Sequence, residues 1–347
     1  TLELDRRQRQ MCIRDSTRTL LLIAKYQGTS AVEVLSLILP IFALLVTGFI
    51  FAKLKILPEH TAEVLIQFAF HVAVPALLIG VIAQEDAEKL LNLPFIAALG
   101  RGIAALYLAI LLGALYVWKQ NFGPATMLAL TSVASNSGFV ALPILHATLG
   151  HKGVLPAAIA NIIVVTVFLV TVPLLERARA EEPGDRESIV VALQRIALNP
   201  VILGTLIGIA WALTGLGVPK MVENYFNLLA GALTPCALFA IGMSIRLDAL
   251  RERGAMIIFS SIVKLIALPV FVLLLCQLFE LDPLYTIAAV VCAAVPTAKT
   301  TIMLASQYGQ PEEPVADTIS VTTLASTLTL VLWLLLLAHL YPAPFAT

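Results

Sequence analysis

From position 32 to position 340 the chain is a succession of apolar runs, each long enough to cross a bilayer and parted mostly by short polar connections. A hydrocarbon core about 30 Å thick takes roughly 20 helical residues to cross, so such runs read as membrane spans. Ten are expected, at roughly 32–54, 62–83, 94–118, 125–149, 153–175, 196–216, 225–245, 255–279, 284–307 and 315–340. Charged residues make up only 13% of the chain and the mean hydropathy is +0.94, whereas soluble domains carry about a quarter charged residues. The fold class expected is therefore an all-α polytopic membrane protein.

The formal net charge is zero, which gives no electrostatic footprint for a nucleic acid. Cys12, Cys236, Cys276 and Cys292 form no CxxC pair, and the last three lie in apolar runs. They read as small core residues and not as a disulfide or zinc framework. Residues 1–30, with Arg6, Arg7, Arg9, Arg14 and Arg18, do not share the pattern and are set apart as a non-native or disordered leader.

The longest connection, 176–195, is charged and contains Pro183-Gly184. It reads as a cytoplasmic linker between a first group of five spans, 31–175, and a second, 196–340. The odd-numbered connections hold Lys53, Lys55, Lys119, Arg177, Arg179, Arg186, Arg195, Arg246, Arg251 and Arg253; the even-numbered ones hold Lys89, Lys152 and Lys220, with Arg101 just inside the third span. This bias places the odd connections in the cytoplasm and both termini outside, in a multi-pass protein of the cell (inner) membrane.

The two groups also match each other. Pro40, Gly48 and Pro75 recur 160 residues later as Pro200, Gly208 and Pro235. At the same offset, the polar break "SNSG" around Asn136 meets Pro296. Five is an odd number, so a second copy must enter the membrane upside down, as in the inverted repeats of secondary transporters. Non-helical backbone survives at membrane depth only beside protein or a water-lined cavity. Two broken helices, the fourth and the ninth, are thus expected to cross at their breaks, with half-helix N-termini facing a shared cavity suited to a carboxylate.

"SNSGFVALPIL", "VPTAKTTIMLASQYG" and "VAVPALL" resemble the auxin efflux carrier family, whose bacterial members include malonate- and malate-type carriers. The resemblance covers about 32–340. It implies ten helices in two inverted five-helix repeats, related in fold to bile-acid sodium symporters. It also implies a scaffold of spans 1, 2, 6 and 7, a transport domain of spans 3–5 and 8–10, and a homodimer surface on the scaffold. Asn136 and Pro296 match the family's two crossover positions, although Thr297-Ala298-Lys299-Thr300 stands where plant members place a second asparagine.

The candidate substrate-binding residues are Asn136, Ser135, Ser137, Lys299, Thr297, Thr300, Gln307 and Asn161, with Gly138, Pro143 and Pro296 as helix breakers. Asn136 offers an amide donor and acceptor; its competing role is to cap the half-helix after the break. An ionisable residue inside a span is a functional hypothesis by default, and Lys299 lies three residues past Pro296 with no mid-span acid to pair with it. An anionic substrate would supply that partner. Lys264, about a third of the way into span eight, has two readings, a side chain facing the transport pathway or, the favoured one, a side chain snorkelling to the cytoplasmic surface. Thr166 is a weaker polar candidate; Pro75 and Pro235 read as scaffold bends. His71 and His146 have no second ligand at metal spacing. Asp317, with Glu312 and Glu313, reads as the acidic start of a helix.

These features favour a secondary carrier of a small mono- or dicarboxylate working by elevator-like alternating access. No cofactor is expected; a coupling proton or sodium ion stays open. An integral-membrane enzyme would need a nucleophile–base pair, paired acids or HExxH, which the sequence does not contain. A receptor-like membrane protein would need no matched pair of breaks.

Overall fold

The computed structural model describes residues 31–58, 60–85, 92–179, 198, 200–244 and 254–345. The leader 1–30, most of the 176–195 linker, and the basic residues Arg186, Arg195, Arg246, Arg251 and Arg253 lie outside them, as does Lys89. Among the described residues the only extended pairing is a single isolated bridge, and everything else of regular structure is helix.

The first part of the chain forms α1 (Ala31–Lys53), α2 (Thr61–Ile82), α3 (Leu93–Val117), α4 (Phe122–Val133), α5 (Leu142–Leu149) and α6 (Val154–Arg179). After the linker come α7 (Pro200–Leu213), α8 (Lys220–Met243), α9 (Ala255–Leu278), α10 (Pro283–Ala294), α11 (Thr300–Gln307) and α12 (Glu312–Leu340). Six helical stretches are long and apolar enough to cross a membrane: α2, α3, Ser137–Ala178, α8, α9 and α12. Shorter apolar helices are Ala43–Lys53, α4, α7 and α10.

Local chemistry sets several boundaries. Asn92 Oδ1 accepts the Phe95 N–H at 3.0 Å and Asp282 Oδ1 accepts the Leu284 N–H at 2.8 Å, each capping a helix that carries proline in its first turn. Gly150 takes φ +61°, a left-handed conformation that ends α5 and turns the chain into α6. Short π-helical turns interrupt α2 at Ala69–Ala73 and α9 at Val263–Ala267, and another, Ser137–Ala141, precedes α5.

Packing is by close backbone approach where side chains are absent. A Cβ on Gly48 of α1 would meet the Phe239 carbonyl oxygen of α8 at 2.0 Å, and one on Gly242 of α8 would meet the Leu45 carbonyl of α1 at 2.0 Å. Small residues at such faces let helices gain van der Waals contact that lipid cannot match. Through Gly208, whose Cβ would lie 2.9 Å from Ile82 Cβ, α7 sits as closely on α2. Around these pairs α3 packs on α9 and α4, and α9 on α10. Leu206, Met221 and Leu228 on the outer faces of α7 and α8 are exposed, as a lipid solvent allows.

Candidate functional site

The expected interruptions occur at both places. Helix α4 ends where Ala134 turns to an extended backbone, φ −65° and ψ 112°; α10 ends the same way at Val295, φ −65° and ψ 156°. A break frees the carbonyls that the next turn would have used, and here the two breaks satisfy each other. Asn136 N–H donates to the Pro296 carbonyl at 2.9 Å and Ala298 N–H to the Ala134 carbonyl at 3.0 Å, an antiparallel bridge that pairs Ser135 with Thr297. Thr297 Oγ1 donates to the Thr131 carbonyl at 2.9 Å, while its N–H donates to Thr322 Oγ1 of α12 at 3.2 Å.

Beside this junction lies a cavity of about 300 Å³, bounded by the first break, α6, α11 and Phe70 of α2. Seven of the eight expected binding residues line it: Ser135, Asn136, Ser137, Asn161, Lys299, Thr300 and Gln307. Gly138 lines it too, and a Cβ there would come to 3.4 Å from Asn161 Oδ1. Thr297 does not. It is fully buried behind the wall, with its hydroxyl spent on Thr131. Pro296 contributes its carbonyl to the bridge, and Pro143 occupies the first turn of α5. Thr166 is likewise turned away, bonded to the Ile162 carbonyl at 2.9 Å.

Several polar groups facing the cavity lack protein partners. Asn161 Nδ2 and Ser137 Oγ are buried without a hydrogen bond, an arrangement that is costly in a low-dielectric site unless a ligand or water completes it. The Asn136 side chain makes no capping bond to the turn that follows it, so the competing role as a cap is not the one it plays. Lys299 stands at the N-terminus of α11, exposed to the cavity, and its ammonium has no hydrogen-bond or ion-pair partner among the described residues. No acidic residue lines the cavity. The first-turn N–H groups of the half-helices after each break add partial positive charge on the same side.

The remaining wall is apolar and aromatic: Phe70, Phe139, Phe168, Tyr308, Val164 and Met303. Phe70 stacks on Phe139 with ring centroids 4.6 Å apart. Aromatic side chains in apolar helices carry no sequence signal that separates a cavity wall from a packed core. The π turn at Ala69–Ala73, which carries Phe70, is equally silent in the sequence.

Lys264 corrects an expectation. It does not snorkel: it is fully buried, and Nζ donates to Ser135 Oγ at 2.9 Å and to the Ala293 carbonyl. The π turn Val263–Ala267 carries it, and Trp333 Nε1 of α12 caps the Leu265 carbonyl of that turn at 2.9 Å.

Apolar helices across the chain, interrupted at a polar cavity with one unpartnered cation, define a multi-pass membrane transport protein. The membrane transport protein family model matches residues 33–334. The chain belongs to that family, the auxin efflux carriers. It is 30% identical over 302 residues to the "Putative malonate transporter" of Rhizobium meliloti, an overlap covering 86% of this chain and 93% of that protein. It is 23% identical over 303 residues to the "Uncharacterized transporter YfdV" of Escherichia coli, covering 86% and 95%. An uncharacterized transporter of Methanocaldococcus jannaschii is 24% identical over 311 residues, covering 86% and 97%.

Proposed function

We propose that the protein is a secondary carrier of small organic anions, mono- or dicarboxylates, whose binding site is the cavity beside the paired breaks. The observation that carries this reading is the convergence of Lys299, Asn136, Asn161 and Ser137, none with a completed side-chain hydrogen-bond set, on one cavity of about 300 Å³ without an acid in its wall. That size is at the small end of ligand pockets, which run from about 300 to 1,000 Å³. A carboxylate would take charge-assisted bonds from Lys299 and the amides, and its apolar part would lie against Phe139 and Phe168. The name of the R. meliloti relative, "Putative malonate transporter", points to the same chemistry.

The architecture suited to this role is ten spans in two inverted repeats. Elements α1–α6 and α7–α12 run in the same order of lengths at their centres: α4 and α10 have 12 residues each, α5 and α11 have 8 each. Contacts also exchange with the halves: α1 packs on α8 as α7 packs on α2, and α6 on α10 as α12 on α4. A scaffold of α1, α2, α7 and α8 would then hold still, or pair with a second copy, while the other helices carry the anion across as a body. The cavity extends along α6 and α11 toward Val172 and Tyr308, the end at which Arg177 lies; with the odd-numbered connections in the cytoplasm, this would be an inward-facing state. An inside-negative potential favours anion export by about 2.3 kcal/mol per charge per 100 mV.

Counterflow in proteoliposomes tests the reading. Vesicles preloaded with malonate, malate or a monocarboxylate should accumulate the labelled acid, and Lys299→Gln should abolish or sharply weaken exchange of the preferred one. Absence of exchange with every short carboxylate, or a Lys299→Gln protein as active as wild type, would refute it.

A further inference from the structure

Lys264 does not line the cavity, yet it is the most deeply buried charge among the described residues, with 0% exposure. Its two acceptors come from opposite halves of the chain: Ser135 from the first break and Ala293 from the last turn of α10. No carboxylate is among its partners. Burying an ammonium in this way is expensive unless the surroundings supply negative charge.

The surroundings do supply it. Helix α4 stops at Val133 and α10 at Ala294, each immediately before the bridge of the two breaks, so both C-termini point at the junction. A helix C-terminus carries about half a negative elementary charge, concentrated on carbonyls without intrahelical donors. In an unbroken helix the Ala293 carbonyl would accept from Thr297 N–H, but that N–H is given to Thr322. A cation is what this convergence requires. The opposite sides of the breaks, where α11 and the turn into α5 begin, present N-termini to the cavity and suit an anion.

We infer that Lys264 is the resident cation of the junction: its ammonium fills the place where a bound alkali ion would be needed to neutralise two helix C-termini and tie the two breaks together, so anion transport requires no sodium ion there. Ser135 links this charge to the cavity. Its oxygen accepts from Lys264 at 2.9 Å and its hydroxyl donates to the Val133 carbonyl at 3.5 Å, a long contact that a carboxylate in the cavity would replace, and Ser135 lines the cavity. Lys264 is thus a positioning residue for the site, acting through Ser135 and the Ala293 carbonyl.

The inference rests on the carrier reading, and the test separates the two. Counterflow of labelled malonate and of labelled malate is measured for the wild type in sodium, potassium or choline chloride at equal ionic strength. Equal exchange in all three is expected, and exchange confined to sodium would overturn the inference while leaving the carrier reading intact. In Lys264→Ala, exchange in choline should fall by about tenfold or more, the scale of losing a charge-assisted hydrogen bond. Methylammonium or sodium should restore much of it, whereas Lys264→Met, which fills the space without charge, should respond to neither. Thermal unfolding in detergent needs no substrate and no folded variant: the wild-type midpoint should be the same in sodium and choline chloride. Lys264→Ala should be destabilised in choline and regain stability with methylammonium, which a purely steric role would not produce. A wild type stabilised by sodium over choline would overturn the inference, as would a Lys264→Ala protein indifferent to methylammonium in both assays.

Discussion

Single residues at the junction divide into those that complete the backbone and those that face the cavity without a protein partner, and substitution should separate the two groups. Thr297 belongs to the first, since its hydroxyl satisfies the Thr131 carbonyl freed by the first break. Thr297→Val keeps the shape but orphans a buried acceptor, at a cost of about 1–3 kcal/mol. A lowered unfolding midpoint in detergent, with little change in the apparent affinity of the folded fraction for its anion, is the expected result. Asn136 and Lys299 belong to the second group. Asn136→Ala and Lys299→Ala should leave the midpoint nearly unchanged and raise the apparent KM for the anion by about tenfold or more, the weight of one charged hydrogen bond. Concentration dependence of counterflow measures this directly. Lys299 and Asn136 were legible in the sequence because a polar group inside an apolar run must have a reason to be there. Lys264 is equally visible in the sequence but its burial is not, because its partner Ser135 lies 129 residues away and only the folded chain brings them together.

Among the elements, glycine spacing has different consequences at different faces. At Gly48 an added Cβ would run into the backbone of α8 at Phe239, and no rotamer change relieves that contact. At Gly113, in the π turn that ends α3, nothing lies within 4 Å of the same atom. Gly48→Ala should therefore sharply reduce the yield of monodisperse protein on size exclusion, while Gly113→Ala should purify as wild type. The repeat of Gly48 at Gly208 was readable as an offset in the sequence; that the two glycines serve α1–α8 and α2–α7 packing was not. The breaks were readable as well, since Asn136, Gly138 and Pro296 interrupt apolar runs. Their mutual hydrogen bonding was not, because a backbone bridge leaves no mark on side-chain pattern.

For the molecule as a whole, an elevator-like motion predicts which tethers stop transport. Phe70 of α2 belongs to the proposed scaffold and stacks on Phe139 of the moving group at 4.6 Å, whereas Phe51 of α1 and Phe239 of α8 meet at 5.4 Å within the scaffold. In a background with Cys12, Cys236, Cys276 and Cys292 replaced, the pair Phe70→Cys with Phe139→Cys joined by a short thiol crosslinker should halt counterflow. The pair Phe51→Cys with Phe239→Cys, joined the same way, should transport as before. Equal inhibition by both, or by neither, would exclude a motion between these two groups.

The sequence by itself determined the solvent and the element type: runs this long and apolar have to be helices in lipid, because the bilayer offers the backbone no other donors or acceptors. It also determined where those helices fail, since asparagine, glycine and proline carry their conformational preferences with them. Tertiary structure alone decided what the failures are for. Whether the freed carbonyl of Ala293 meets water, sodium or Lys264, and whether Phe168 and Tyr308 face neighbouring helices or a cavity, depends on contacts between residues far apart in the chain. Such contacts are set by the packing of whole helices, which no local pattern of residues encodes.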